Sequence, residues 1–376
     1  MNKKKILIAS DSFKGSATSL AVAAYLKEGI LSITDNVSIT SIPIADGGEG
    51  TITCFVEAFK GVIKQKEVIG PLGDKITAHY GLLSKDTVVI EVAETSGLPL
   101  VPFEKRNPFH TTSYGLGELI NQLLNEGIQT FYIGLGGSST NDMGIGLAQA
   151  LGFQFLDDNG KEVDYGAAGL MQIKSIQTEQ VNAKLYQANL ICITDVDNPL
   201  CGSNGASYIY GPQKGAKEKD LPILDQAVSN FATLIETHLA CSIRNVPGTG
   251  AAGGIGAMMV SLLKAQLYCG IDKVIELLDL ENQIKNSDLV ITGEGKMDQQ
   301  SLMGKAPYGI AKLAYQYHIP TIAVCGSYDA SILQNELFIL VLSILNYPMT
   351  LEEAMKNTPQ LLKNIGKQIG KLLSIV

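Results

Sequence analysis

Arginine is nearly absent: Arg106 and Arg244 are the only two in 376 residues. A site that clamps an anion with a forked guanidinium therefore has few candidates. Histidine is also scarce. His79, His110, His238 and His318 are far apart and never form HExxH, so that metal motif is excluded. The six cysteines, Cys54, Cys192, Cys201, Cys241, Cys269 and Cys325, show no CxxC spacing, which excludes a thiolate metal knuckle and a redox dithiol. Charged residues make up only 18% of the chain and the net charge is -8. That balance argues against nucleic acid as a partner. It leaves room for a local basic site that takes an anionic substrate. The first apolar run is interrupted at once by Ser10-Asp11-Ser12, too short for a signal peptide or a membrane span. A cytoplasmic setting without a membrane partner is the expectation. The Walker A sequence GxxxxGK[ST] and the protein-kinase signatures are missing as well.

What is present is apolar material and glycine. Hydrophobic residues reach 45%, ample for sizeable cores, and the length suggests roughly two domains. The 39 glycines are bunched in IADGGEG, GLGGSSTNDMGIG, GTGAAGGIG and ITGEG.

The chain opens with a strand at residues 4–9 and a helix at about 19–32 that Thr18 can cap. A strand at 37–44 and a helix at 51–59 follow. This rhythm predicts a parallel sheet with helices on its faces. Residues 62–94 read differently, as three strands (62–69, 76–83, 88–93) joined by turns, an antiparallel meander. Near Asp288 the first rhythm returns, with a strand at 289–292, a helix at about 306–317 and strands at 321–324 and 338–342. A last helix starts at Thr350 with Glu353 three residues on, a capping box. The two ends of the chain look alike and the middle differs. The expected organisation is α/β with two domains: a discontinuous domain of residues 1–75 and 286–376, and an inserted mixed α/β domain of residues 76–285.

In open α/β sheets, ligands sit beyond the carboxyl ends of the strands, where loops meet helix N-termini. The glycines and carboxylates of this sequence fall there. Asp11 to Lys14 follow one strand, Asp46 to Glu49 with Gly47 and Gly48 a second, and Glu294 and Asp298 a third. Carboxylates beside glycine-rich cradles make sense if Mg²⁺ bridges them to phosphate oxygens. Residues 134–142, with Ser138, Thr140, Asn141 and Asp142, follow a strand at 131–133 and can cradle a phosphate or carboxylate. Asp195 follows the strand at 190–193, where a carboxylate can bind metal or take a proton from a substrate hydroxyl. Lys214, between glycines, is a point charge suited to phosphate, and Arg106 can fork a carboxylate. Residues 248–253, with Gly250 and Gly253 followed by Gly254, match GxGxxG formally. Asp272, at the distance a dinucleotide site needs, precedes a helix start instead of ending a strand.

In order, these segments resemble the bacterial glycerate kinase family of the type-I, glycerate 2-kinase kind. The matching stretches are DSFKGS (11–16), ADGGEGT (45–51), ETSGL (94–98) and RNPFHTTSYGLGELI (106–120). They continue with GLGGSSTNDMGIG (134–146), TDVDNPLCG (194–202), YGPQKGA (210–216), GTGAAGGIG (248–256) and DLVITGEGKMDQQSLMGKAP (288–307). The family usually has a small residue at Ser139, glycine at Met143 and often cysteine at Thr194. The resemblance implies a flavodoxin-like domain split between the chain ends and an inserted restriction-enzyme-like domain, with the active site in the cleft between domains. It implies Mg²⁺-dependent transfer of the ATP γ-phosphoryl group to D-glycerate, giving 2-phosphoglycerate (or 3-phosphoglycerate) and ADP. On that reading Asp195, Lys14 and Asp46 are catalytic. Arg106, Ser138, Thr140, Asn141 and Asp142 bind substrate. Gly47, Gly48, Lys214, Gly250, Gly253, Gly254 and Lys305 bind ATP or phosphate, and Glu294 and Asp298 hold metal. Monomer and homodimer both stay open. Two rival readings are a nucleotide-dependent oxidoreductase built on residues 248–253 and a non-catalytic binder of small organic acids.

Overall fold

A computed structural model describes residues 3–299, 301 and 305–375. Gln300, Leu302, Met303 and Gly304, part of the last matching stretch, lie outside the described residues. The strands are, in chain order, β1 (Lys4–Ile8), β2 (Val37–Ser41), β3 (Val62–Ile69), β4 (Lys75–Leu82), β5 (Thr87–Glu91), β6 (Thr130–Gly134), β7 (Gln154–Leu156), β8 (Ser175–Gln177), β9 (Asn189–Thr194), β10 (Gln266–Cys269), β11 (Leu289–Met297), β12 (Thr321–Tyr328) and β13 (Leu340–Ser343). The chain divides into two units, residues 1–46 with 270–376, and residues 47–269.

The first unit carries a five-stranded sheet in the order β2-β1-β11-β12-β13, parallel throughout. With the insertion removed, this is the flavodoxin-like order. Its strands are short apolar runs because helices cover them. Ile6, Ile8, Ile291 and Val324 pack with Leu26, Ile30, Leu362 and Ile365 of helices Ser19–Leu31 and Leu351–Ile375. Thr18 caps the first of these helices by accepting from the Ala21 amide. Thr350 and Glu353 exchange both bonds of a capping box ahead of the second.

The second unit carries a six-stranded mixed sheet, β10-β9-β6-β5-β4-β3. The meander β3-β4-β5 is antiparallel, whereas β5, β6, β9 and β10 run parallel. Residues with no aqueous face fill its core, among them Val88, Ile90, Leu119, Phe131, Ile133, Met258 and Phe231.

Three details differ from the sequence reading. The unit boundaries lie at 46/47 and 269/270, where the sequence suggested 75/76 and 285/286. β3 pairs with β4 along its whole length, so residues 62–69 belong to the second sheet. Conversely, Ile271 packs on Gly309 of helix Ala306–Gln316, which attaches residues 270–285 to the first unit. β5 stops at Glu91 and turns into the short helix Val92–Ser96. β11 runs through to Met297, pairing Glu294 with Cys325 and Met297 with Tyr328, so Glu294 lies within a strand.

Helix Leu351–Ile375 approaches helix Ser19–Leu31 through glycine. A Cβ on Gly366 would stand 2.4 Å from the Leu26 carbonyl oxygen and 2.9 Å from the Gly29 Cα. Gly366→Ala gains about 1 kcal/mol of helix propensity. We expect overpacking to outweigh it, with a net loss of about 1–3 kcal/mol in urea unfolding. Unchanged or higher stability would show that the helices part freely.

Candidate active site

Because β5, β6 and β9 are parallel and in register, their carboxyl ends finish at one edge of the second sheet. Glu91 pairs with Gly134, and Gly134 with Ile193. The loops leaving this edge meet main chain to main chain. The Gly136 amide donates to the Gly47 carbonyl at 3.0 Å, and Met143 to the Gly253 carbonyl at 3.0 Å. The Gly250 amide donates to Asn198 at 3.1 Å. Such contacts leave no space for side chains. A Cβ on Gly47 would sit 2.3 Å from the Ile193 oxygen, and one on Gly253 2.0 Å from the Thr140 oxygen. Gly253 also needs its positive φ of 69°, in a left-handed turn with Ala252 and Gly254. No strand leads into this turn, unlike a dinucleotide fingerprint. Gly48 packs its α-carbon on Gly136.

The loop of residues 134–144 is held from below by one carboxylate. Asp142, fully buried, accepts the Ser113 amide at 2.9 Å and its hydroxyl at 2.7 Å on Oδ2, and the Gly144 amide at 3.1 Å on Oδ1. Ser113 and Gly144 are the N-caps of helices Tyr114–Asn125 and Ile145–Ala150. Asp142 thus neutralises two helix N-termini at once. Burial pushes its carboxyl up, against the pull of these donors. The sequence reading placed Asp142 among the substrate ligands; the structure commits its carboxylate to helix ends.

Above this staple lies a sealed polar group. Lys214 is 2% exposed, and its Nζ donates to Ser138 Oγ at 2.8 Å and to the Thr140 carbonyl at 2.6 Å. Burial drives its pKa down to about 7, the nearby Asp142 opposing. Asn141 Nδ2 donates to Ser207 Oγ at 2.9 Å. Thr140 Oγ1 and Asn141 Oδ1 are buried with no hydrogen-bond partner. Lys214 Nζ reaches the main-chain carbonyl of Thr140, the residue that carries one of these oxygens and precedes the other. Buried polar atoms without partners call for an explanation, such as a ligand or an ordered water.

Arg106 spends two of its donors on main-chain carbonyls. Its Nε and Nη1 donate to the carbonyls of Val101 (3.4 Å) and Gln213 (3.3 Å), and it lies over the Phe103 ring. It ties the Lys214 loop in place. Asp195 follows β9 and is exposed. Together with Asp197, its carboxylate reinforces the burial that pushes Tyr210 up to about 12.

In the first unit, the ends of β1 and β11 approach each other. The Asp11 amide donates to Gly293 at 2.9 Å, and the Lys14 amide lies beside Gly295. Lys14 is exposed, while Asp46 is buried. Glu294, nearly buried, has Lys305 at 3.9 Å, and Asp298 has Lys296 at 3.3 Å. Lys305 is the N-cap of helix Ala306–Gln316. Among the described residues, no three His, Cys, Asp or Glu side chains form a metal cage. The two carboxylates suit Mg²⁺ nonetheless, because that ion commonly takes one or two carboxylates and completes its shell with water and phosphate.

Sequence reasoning passed over Glu91. It is 4% exposed and accepts the Ile52 amide on Oε1 at 2.7 Å. Burial raises its carboxyl to about 7, the carboxylates of Glu94 and Glu49 adding to the effect. The signal was one charge inside the apolar run Val88-Val89-Ile90-Glu91-Val92-Ala93. Ser113 and Ser207 carried no such mark.

Comparison with known proteins yields a consistent picture. The family described as "Glycerate kinase family" matches residues 6–374. The chain is 42% identical to the glycerate kinase of Halalkalibacterium halodurans, covering 98% of each protein. It is 41% identical to the glycerate 2-kinase of Escherichia coli, over 99% of this chain and 98% of that one. The crystal structure of a protein from Salmonella typhimurium LT2, assigned as a glycerate kinase 2, superimposes with a TM-score of 0.87 at 40% identity, covering 100% of this chain and 99% of that one.

The two displaced buried groups act oppositely on stability. Glu91, raised from 4.5 to about 7, gives the native state the extra proton between those values, so its contribution falls as pH rises through that window. Lys214, lowered from 10.5 to about 7, leaves the extra proton on the unfolded chain, so its contribution climbs between about 7 and 10.5. Wild-type minus Glu91→Gln melting temperatures should therefore decline from pH 4.5 to 7. Wild-type minus Lys214→Met values should rise above pH 7. Flat difference curves would refute both displacements.

Proposed function

The chain belongs to the glycerate kinase family, and on that premise we propose that the strand-end loops of the second unit take D-glycerate for phosphorylation at its 2-hydroxyl. It is an enzyme, a kinase with ATP as co-substrate. The observation that carries the assignment is the pair of buried, unpartnered oxygens, Thr140 Oγ1 and Asn141 Oδ1, on the segment whose main chain accepts the Lys214 amine at the Thr140 carbonyl. Glycerate matches this set, with two hydroxyls to donate and a carboxylate to neutralise the amine. Ser138, which shares Lys214, completes the polar lining.

Phosphoryl transfer needs positioning and charge neutralisation more than covalent chemistry. A substrate hydroxyl oxygen forms the new bond to the γ-phosphorus, the bond from that phosphorus to the β–γ bridging oxygen breaks, and the hydroxyl proton leaves to a base. Asp195, exposed at the end of β9, serves as that base, with Asp46 second. In the second unit the amides of Gly47, Gly48, Gly253 and Gly254 cradle phosphate oxygens, while Gly250, whose amide is taken by Asn198, shapes the turn. In the first unit Lys14 and Lys305 are the cations suited to phosphate charge. Glu294 and Asp298 would hold Mg²⁺, which when bound offsets the charge of the nucleotide phosphates. Arg106 contributes by holding the Lys214 loop.

A coupled ADP-release assay with D-glycerate, ATP and Mg²⁺, followed by ³¹P NMR, should show 2-phosphoglycerate. A 3-phosphoglycerate signal would overturn the positional assignment. Asp195→Asn should lower kcat by about 100-fold or more, and near-normal turnover would remove Asp195 from the mechanism. Asn141→Ala should raise the KM for glycerate about tenfold, in line with loss of one hydrogen bond inside a buried site. An unchanged KM would move the substrate elsewhere.

A further inference from the structure

Burying a carboxylate without a cation beside it is costly. The charges acting on Glu91 are two more carboxylates, Glu49 and Glu94. Glu94 is itself held by the amide and Nδ1 of His79, each at 3.0 Å. The geometry shows what the burial achieves. Glu91 Oε1 accepts the Ile52 amide at 2.7 Å, in the first turn of helix Thr51–Phe59. This helix N-terminus is therefore occupied by the protein's own anion. The main chain just before it runs against the ends of β6 and β9, where Gly47 accepts the Gly136 amide and abuts the Ile193 carbonyl. Glu91, at the end of the neighbouring strand β5, thus fastens one wall of the glycine loop from outside it.

We propose that Glu91 is a positioning residue for phosphoryl transfer, acting through the main chain of residues 47–52 to keep the loop of residues 134–144 in its working shape. The proposal rests on the reading of that loop as the glycerate site. Glu91 itself touches no substrate. The ionised carboxylate accepts the Ile52 amide more strongly than the neutral acid does, so protonation loosens the wall and activity declines on the acid side of neutrality.

Glu91→Gln keeps the shape and removes the charge. It should lower kcat/KM at least tenfold, since small misplacements of a reacting group are expensive. It should melt at or above the wild-type temperature at pH 8, because a buried charge is gone. The acid limb of the wild-type pH profile should vanish. Glu91→Asp, one methylene shorter, retains the charge but not the reach and should show the same loss of rate. Either variant, folded and within twofold of wild-type kcat/KM with the wild-type pH profile, overturns the proposal. So does a rate loss that merely tracks a lost folded fraction. If Asn141→Ala is also harmless, the reading of the loop has failed. If Asn141→Ala is damaging and the Glu91 variants are not, only the role of Glu91 falls.

Discussion

The architecture of the second unit depends on a single buried anion. Asp142 takes donors from two helix starts, so the loop between β6 and helix Ile145–Ala150 cannot shift without exposing several amides. The polar groups assigned to glycerate are mounted on that loop: the hydroxyls of Ser138 and Thr140, the Asn141 amide and, through them, Lys214. A rigid mount of this kind is what positioning chemistry requires, because catalysis by placement tolerates little motion.

Charge is handled differently in the two units. In the first, Glu294 and Asp298 each have a lysine within 4 Å, so opposite charges are balanced before any ligand enters. In the second, Glu91 and Lys214 are buried apart and each is pulled toward its neutral form near pH 7. Groups held near their balance point respond strongly to a charged visitor. Stability is given up at these positions, in keeping with the frequent opposition between a tight fold and a prepared site.

Much of the fold was legible in the residues. Helix Thr51–Phe59 and strand β3 have the bounds that apolar pattern and turn residues suggest. The parallel sheet split between the chain ends follows from the returning strand-loop-helix rhythm. The extension of β11 was hidden because Gly293 and Gly295 imitate a loop. Gly293 instead lets β12 come so close that a Cβ would meet the Val324 oxygen at 1.7 Å. The assignment of β3 was hidden because sheet membership is a long-range property that a local change of rhythm does not report. The run Ser-Ser-Thr-Asn-Asp reads identically whether its side chains face a ligand or the protein's own amides. In fact it divides, with Asp142 turned to the helices and Thr140 Oγ1 and Asn141 Oδ1 left without partners. Glu91 was legible only as an anomaly within an apolar run.

The insertion has a consequence for synthesis on the ribosome. β1 lies in the middle of its sheet, between β2 and β11, and β11 emerges only after residues 47–269 have been made. The second unit is contiguous and can collapse as soon as it is translated. The nascent β1-β2 pair must wait with one hydrogen-bonding edge bare until its partner arrives, a long loop closure of the slow, non-local sort. Chaperone dependence in the cell would therefore concentrate on the early segment, although it comes off the ribosome first.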